Sequence, residues 1–250
     1  ESIRKITKED LYKCYNTFYH PANMFVVVTG NVNPEELYNI IKNNQDKKTF
    51  AKDFKTKIRH NKEPDHVLKE EDTFEMNVII PKVAVNYKFN ISKIDNILRR
   101  HIINYLCIYF DIKIGLTSLF FEDMKNNDIL TDGLDLTYIE SEDHVLMMLF
   151  ADTKEPHKLI ESIKKAITDF DVTDEEFERK KKLLLSSYLY MSDNIYHINH
   201  KIMNHIVKTG SVITDIYEEI SNYSVEELRE VISKLSFEHN NYVIINPKTN

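Results

Sequence analysis

The ten histidines are the residues of this chain best suited to metal or acid–base chemistry. A helix that binds a metal through two histidines places them four residues apart, so that both rings share one face and leave a position open for water. No histidine here is followed four residues later by another. His197, His200 and His205 fall in one predicted helix, and Asp193 falls in the turn before it. Because no fuller ligand set accompanies them, we interpret them as surface or interface residues rather than a metal site.

The remaining charged and nucleophilic residues also lack the pattern of an active site. The acids of the helical segments, Glu161, Glu175 and Glu176 among them, show no paired arrangement for acid–base catalysis. The basic run 179–182 follows several acids within one predicted helix, so pairing at i,i+4 predicts a solvated face rather than a nucleic-acid or lipid site. No G-x-S-x-G motif provides a serine nucleophile. The sequence therefore predicts no catalytic residue in this chain.

Composition and charge narrow the class of protein. With 42% hydrophobic and 29% charged residues over 250 positions, the chain has the make-up of a soluble globular protein. The net charge of −7 argues against generic nucleic-acid binding. Cys14 and Cys107 lie in amphipathic helical patterns, so we expect buried free thiols in a reducing compartment and a cytoplasmic location. No window approaches the roughly 20 apolar residues that a membrane span requires.

Hydrophobic periodicity predicts the elements that position these residues. The region before residue 45 reads as a helix over about 7–19, a strand over 24–28 and a helix from Asn33. Beyond residue 72, strands are predicted at about 74–80, 83–91, 132–139, 143–151 and 241–246, and helices at about 95–111, 117–126, 156–169, 174–191, 194–208, 212–221 and 224–235. Strands and helices mix without strict alternation, which predicts an α+β fold with an antiparallel or mixed sheet covered by helices on one face. Five aromatic residues are assigned to the core rather than to a ligand cage: Tyr105, Tyr109, Phe110, Phe120 and Phe121.

The end of the chain repeats its beginning. Residues 7–30 align without a gap with residues 224–247, and each stretch reads as a capped helix, a turn at an asparagine and a β-branched strand. The same helix–turn–strand unit therefore ends one domain and also begins the chain. We infer that the chain is the C-terminal portion of a longer protein with tandem domains.

This inference divides the chain into three regions. Residues 1–45 are the helix–strand–helix tail of a truncated first subdomain, 46–71 are a linker of mixed charge, and 72–250 are a complete second subdomain. Because the other strands of the first sheet would be missing, the strand at 24–28 is expected to have exposed edges and one exposed face.

Several segments, in this order, resemble one family. The run from Ile6 to Val32, with Tyr19-His20-Pro21-Ala22-Asn23-Met24 followed by Val26-Val27-Val28-Thr29-Gly30, resembles the "Y-x-P-x-N-M, V-V-V-G-x-V" segment of the insulinase-like (pitrilysin, M16) zinc peptidases. Residues 117–122 resemble the family's "S-S-x-L-F-x-E" helix, and residues 173–181 its "T-x-E-E-L-E-R-A-K" helix start. The resemblance covers essentially the whole chain and is greatest for the bacterial processing-protease-like branch.

The resemblance implies what this chain should lack. Family members hold zinc with an H-x-x-E-H helix in the first subdomain, which would lie upstream of residue 1, so zinc is expected there and no cofactor in this chain. Active members also carry an Arg and a Tyr just after the "S-S-x-L-F-x-E" helix. Here Lys125 falls near the Arg position, and Thr131 or Asp132 near the Tyr position. Lysine lacks the planar fork of arginine, so Lys125 is only a weak counterpart in substrate binding.

Taken together, these features predict the non-catalytic C-terminal portion of a zinc-dependent M16-type peptidase. It would wall a peptide-binding chamber and support the catalytic subdomain, and on its own it is expected to be inactive. The implied partners are an upstream catalytic subdomain, a second peptidase half and a peptide substrate. The alternative is a pseudo-peptidase scaffold or partner subunit whose full chain has no proteolytic activity. A nucleic-acid-binding α+β domain is a third hypothesis, which the charge disfavours.

Overall fold

A computed structural model describes residues 2–50, 54, 62–130, 132–212 and 215–248. The chain divides into two compact units. The first contains Glu1–Asn61 and Tyr188–Ile216, and the second contains Lys62–Ser187 and Tyr217–Asn250.

The second unit is built on a five-stranded mixed sheet. Its strands are β1 (Glu71–Met76), β2 (Lys82–Asn90), β3 (Asp135–Glu140), β4 (His144–Asp152) and β5 (Asn240–Pro247). Their spatial order is β1-β5-β2-β4-β3. β1 runs parallel to β5, and the other neighbouring pairs are antiparallel. This arrangement confirms the predicted α+β class.

One face of this sheet carries the core. Along β2 the buried residues Val83, Val85, Tyr87 and Phe89 alternate with half-buried ones, the two-residue period of a strand with one covered face. Their aromatic rings meet Phe110 of the adjacent helix and Phe237 in edge-to-face contacts. The opposite side of the sheet, onto which Ala84, Asn86, Lys88 and Asn90 project, is called the open face below.

The helices of the described residues have clear local starts. Their bounds are α1 (Lys8–Phe18), α2 (Pro34–Gln45), α3 (Asn96–Arg100), α4 (Ile102–Ile114), α5 (Leu119–Asn126), α6 (Pro156–Ile167), α7 (Asp174–Ser192), α8 (Ile195–Thr209), α9 (Ile216–Ser221) and α10 (Val225–Ser233). Thr7 and Ser224 form capping boxes at α1 and α10, as their sequences predict. The helix predicted over 95–111 is interrupted at His101, whose backbone (φ −105°, ψ 4°) leaves the helical region.

α4 lies at the centre of the second unit. Nine of its residues are buried, including five of the largest buried side chains: Ile102, Tyr105, Leu106, Tyr109 and Phe110. Phe120 is buried and Phe121 half-buried, so the assignment of the five aromatic residues to the core is correct for four and partial for Phe121. Within the described residues no single helix is long and apolar enough to cross a membrane, although the bent pair α4 and α5 together meets the requirements of length and composition.

The first unit departs from the predictions at two points. Residues 24–28, predicted as a strand, are extended at Met24 but pair with no strand among the described residues. The physical reason is that a β-strand is defined by its ladder partner, and this segment has none here. Instead, Asn199 Nδ2 of α8 donates to Val27 O (3.2 Å) and Thr29 Oγ1 (2.9 Å). Cys14 is exposed rather than buried, because the apolar side of α1 lies open to solvent.

Candidate functional site

A cleft of about 1050 Å³ opens at one end of the open face. Its floor is apolar and is formed by Ala84 of β2, Phe150 of β4, and Val243 and Ile245 of β5. These side chains come from neighbouring strands, since Ala84 is paired with both Phe150 and Val243. An apolar floor with this strand spacing can accept alternate side chains of an extended peptide.

Charged side chains of both signs border this floor. Lys82 and Asp152 pair across the two strands at 2.7 Å, but both are well exposed, so the pair contributes little stability. Lys125 lies in the last turn of α5 and lines the cleft. Its ammonium group has no hydrogen-bond or ion-pair partner in the part of the chain that the structure describes, so it is available to an acceptor on a ligand.

The α5–β3 connection holds Lys125 in place. Ser118 caps the start of α5, and the connection turns at Asp128, whose φ of 54° is a left-handed conformation that aspartate tolerates. Thr153 Oγ1 then donates to Ile129 O at 2.7 Å and ties the connection to the end of β4. Lys125 therefore projects from a helix that is anchored at both ends.

Three residues fall near the two family substrate-binding positions. Lys125 and Asp132 both line the cleft, which places them beside the same apolar floor. Thr131, the other residue near the family tyrosine position, lies outside the described residues. A substrate-binding role for Lys125 stays a prediction.

Residues 63–69, called the strap below, lie across the far half of the open face. Lys88 Nζ donates to Glu63 Oε1 and to Pro64 O. Asp65 Oδ1 accepts from Asn90 Nδ2 at 2.7 Å and lies 3.0 Å from His144 Nε2. The hydrogen bonds from Asn90 and His144 lower the pKa of the Asp65 carboxyl, and the hydrogen bond from Lys88 lowers that of Glu63. Both acids are therefore ionised at neutral pH.

The strap does not pack tightly on the sheet. A cavity of about 400 Å³ is lined by the strap together with Lys88, Asn241 and Val243. Leu68 is 96% exposed, so its side chain contributes no apolar burial. Val243 also lines the larger cleft, which makes the two spaces neighbours on one face.

Sequence reasoning missed the strap contacts. It treated residues 46–71 as a linker and did not select Lys88, Asn90 or His144. The available signals were Lys88 and Asn90 at outward positions of a strand whose inward positions are apolar, and two acids separated by one proline in the linker. Pairing these signals requires knowledge of which loop crosses the sheet.

A smaller cavity of about 270 Å³ is bordered by α4, α7 and the core face of the sheet. Lys180 of α7 lies at its edge, with Nζ 2.8 Å from Asp111 Oδ2 and 3.0 Å from Thr117 Oγ1. Burial raises the pKa of the Cys107 thiol, which lines this cavity, to about 11. Cys107 is therefore protonated and unreactive at neutral pH.

The solvated-face prediction for the run 179–182 is wrong for two of its residues. Lys180 is only 5% exposed, and Lys181 is half-buried, with its Nζ 2.7 Å from Glu178 Oε1 and donating to Tyr223 O at 3.0 Å. Arg179 and Lys182 are exposed as predicted. The difference arises because the acceptors Asp111 and Tyr223 are distant in sequence and invisible to an i,i+4 rule.

The histidines of α8 do not form a metal-binding cluster. His197 and His200 are exposed, as is Asp193 in the preceding turn, and His205 is half-buried. Across the described residues, no group of three or more His, Cys, Asp or Glu side chains is arranged to hold a metal ion. These residues thus offer no ligand set that fits zinc.

The internal repeat has opposite burial in its two copies. In α10 and the turn after it, the aligned residues Leu228, Val231, Ile232 and Leu235 are at most 8% exposed. Their counterparts in α1 are Leu11, Cys14, Tyr15 and Phe18, all of which are exposed, Leu11 by 63%. The same helical pattern is therefore covered in the second unit and uncovered in the first.

Comparison with known proteins gives a consistent family. The sequence profile described as "Peptidase M16 inactive domain" matches residues 5–184. The Bacillus subtilis (strain 168) protein named uncharacterized zinc protease YmfH is 26% identical over 237 residues, which is 94% of this chain and 55% of that protein. The chain thus spans about half the length of this curated relative.

Solved structures share the fold. A protein from Alicyclobacillus acidocaldarius described as M16-like matches with a TM-score of 0.86 and 22% identity, over 99% of this chain and 60% of its own. A Helicobacter pylori protease matches with a TM-score of 0.75 and 17% identity, over 98% and 60%. A peptidase M16 inactive domain from Pseudomonas fluorescens matches with a TM-score of 0.71 and 15% identity, over 99% and 60%. With the profile covering most of its residues, this chain belongs to the M16 peptidase family, as an inactive C-terminal domain.

Proposed function

We propose that this chain supports an upstream zinc-binding subdomain of an M16-type peptidase and forms part of the wall of its peptide-binding chamber. The observation that carries the proposal is the uncovered repeat in the first unit. A helix whose apolar residues are exposed while their aligned counterparts are buried needs a partner to cover it.

The second unit indicates what that partner provides. There the strand after the helix, β5, pairs in parallel with β1 on one side and antiparallel with β2 on the other. By the alignment, Phe25 and Val26 correspond to Tyr242 and Val243 of β5. The extended segment 24–28 is therefore expected to enter a sheet between one parallel and one antiparallel strand supplied by the upstream subdomain.

The helix that packs on α10, which is α4, indicates what else the upstream subdomain should contain. Tyr105 of α4 hydrogen-bonds Glu227 of α10, and the apolar side of α10 is buried in the same unit as α4. The equivalent cover for α1 is an apolar helix like α4.

The role as a chamber wall rests on the open face. Its cleft combines an apolar floor with the Lys125 ammonium, which has no partner among the described residues, and this combination suits peptide side chains and a peptide carbonyl or carboxylate. Zinc and the hydrolytic residues belong, on this proposal, to the upstream subdomain, as the family resemblance implies. A second peptidase half would close the chamber.

The alternative function, a pseudo-peptidase scaffold or partner subunit, uses the same surfaces without zinc. The two proposals differ only in whether the upstream segment carries H-x-x-E-H and holds the metal. The zinc content of the assembled protein therefore separates them.

The test begins with the residues encoded before Glu1. That segment is produced with a Cys107→Ser form of this chain, whose only thiol is Cys14, and the rate of Cys14 alkylation is measured with and without the segment. Because Cys14 aligns with the buried Val231, we expect alkylation to slow about tenfold or more on association, with about one zinc bound per complex. Slower alkylation without zinc would establish the scaffold alternative, and an unchanged rate would reject both.

A further inference from the structure

The polar contacts that hold the strap on β2 and β4 involve groups that any acidic peptide could present. The sheet contributes the donors, namely Lys88, Asn90 and His144. The strap contributes two side-chain carboxylates, Glu63 and Asp65, and the main-chain carbonyl between them. None of the acceptors is peculiar to this segment.

The donor side of this contact is built into the sheet. The side chains of Lys88 and His144 are 13% and 8% exposed, whereas those of Glu63 and Asp65 are more than half exposed. His144 Nδ1 is buried without a partner among the described residues. The donors thus form a fixed receptor, and the carboxylates lie on the outer segment.

Local hydrogen bonds orient the Asn90 amide and fix the backbone of His144 in advance. Asn90 Oδ1 accepts from Ser92 N at 2.9 Å and from Ser92 Oγ at 2.6 Å, which points Asn90 Nδ2 toward the strap. Hydrogen bonds between Ser141 and the backbone N–H and carbonyl of His144 fix the main chain from which the imidazole projects at the start of β4. A receptor oriented in this way loses little entropy on binding.

The strap itself is easy to displace. Its polar contacts with β2 and β4 lie within residues 63–65, and its other ion pair, from Lys69 to Asp72 of β1, is local in sequence and exposed. The cavity of about 400 Å³ separates part of the strap from the sheet, and Leu68 lies in solvent. A segment with few buried apolar contacts opens at low free-energy cost. Its tether keeps it at an effective concentration of order millimolar, so it suppresses a free ligand without binding tightly.

From this geometry we propose that Lys88, Asn90 and His144 form a binding subsite for an extended peptide with two carboxylates separated by one residue, and that Glu63-Pro64-Asp65 fills this subsite as an intramolecular competitor. The inference rests on the proposed role of the open face as a peptide-facing wall and gives that wall a ligand class. Displacement of the strap would join the cavity of about 400 Å³ beneath it to the cleft along Val243.

The test uses this chain alone and a fluorescein-labelled peptide with the sequence of residues 62–69, KEPDHVLK. The variant Glu63→Gln/Asp65→Asn weakens the internal competitor and leaves the receptor intact. We expect this variant to bind the peptide about tenfold more tightly than the unmodified chain, measured by fluorescence anisotropy. The control peptide KQPNHVLK, which lacks both carboxylates, should bind neither form.

Substitutions of the proposed donors Lys88 and His144 test whether these side chains bind the peptide. Adding Lys88→Met or His144→Gln to the variant with the weakened competitor should abolish the tight binding. Lys182→Met is the matched control, because Lys182 is an exposed lysine of α7, a helix that borders the core face of the sheet rather than the open face. This control should retain the tight binding.

A separate measurement covers the case in which a receptor variant folds poorly. Hydrogen exchange of residues 63–69 in the unmodified chain should accelerate when KEPDHVLK is added in excess and stay unchanged with KQPNHVLK. Equal binding of the two peptides, or no acceleration with either, would overturn the proposal. Since no upstream segment is present, this result is independent of the Cys14 alkylation test, and each proposal can fail without the other.

Discussion

At the scale of single residues, Lys180 is a charged side chain that folding buries. Its Nζ lies 2.8 Å from Asp111, and the side chain is 5% exposed. Substituting Lys180→Met leaves Asp111 without its partner, while the partial exposure of Asp111 limits the penalty. We expect a loss of about 2 kcal/mol in the free energy of unfolding, measured by urea titration with far-UV circular dichroism.

Lys182, two residues further along α7, is the matched control. It is exposed and belongs to the same basic run. Lys182→Met should change stability by less than about 0.5 kcal/mol. Equal effects of the two substitutions would mean that the Asp111 contact does not stabilise the second unit.

Buried tyrosines predict an alkaline limit to stability. Burial raises the pKa of the hydroxyls of Tyr87, Tyr105, Tyr109 and Tyr223 above the ordinary value near 10. Because the folded state holds these protons more tightly than the unfolded state, their contribution is complete below about pH 10 and is lost as the pH rises beyond it. Absorbance at 295 nm should show an immediate phase from exposed tyrosines and a second phase that coincides with the loss of circular dichroism.

Two phenylalanine variants assign these phases. Tyr190→Phe removes a residue that is 78% exposed and should shrink only the immediate phase. Tyr109→Phe removes a hydroxyl that donates to Ile167 O at 2.7 Å and should shrink only the delayed phase. A single phase containing all the tyrosines would contradict the burial of these hydroxyls.

At the scale of elements, the repeated helix provides a comparison within one chain. Leu228 of α10 is fully buried, and its counterpart Leu11 of α1 is 63% exposed. We expect Leu228→Ala to cost about 3 kcal/mol and Leu11→Ala less than about 0.5 kcal/mol, because only the first creates a cavity. Chemical denaturation of the two variants measures both values, and a large effect of Leu11→Ala would show that α1 is already covered in this chain.

Most elements were predictable because their signals are local. The capping boxes at Thr7 and Ser224 and the two-residue period of β2 are properties of short segments, and the structure confirms them. Residues 24–28 have the composition of a strand but lack a partner, so composition alone misassigns them. Lys180 shows the same limit for side chains, since its acceptor Asp111 is far away in sequence.

At the scale of the whole molecule, the family and fold class followed from motif order and the internal repeat, and both are confirmed. The strap subsite was beyond sequence reasoning, because Glu63 and Asp65 meet Lys88 and His144 only after the sheet has formed. The clustering of Tyr188–Ile216 with the N-terminal residues likewise depends on long-range contacts such as that of Asn199 with Val27. Local sequence patterns thus predict the helices and strands of this fold better than the tertiary contacts between them.

The composition of the described residues leads to a last prediction about the isolated chain. The sequence has no histidine pair spaced for a helical zinc site, and the described residues contain no group that could hold a metal ion. We therefore expect the purified chain to carry well below about 0.1 zinc per molecule by elemental analysis and to leave a quenched casein substrate intact. The full-length Bacillus subtilis relative, named a zinc protease, is the comparison protein under the same conditions. Stoichiometric zinc in the isolated chain would require a ligand set that includes residues outside the described ranges, and the assignment of zinc to an upstream subdomain would fail.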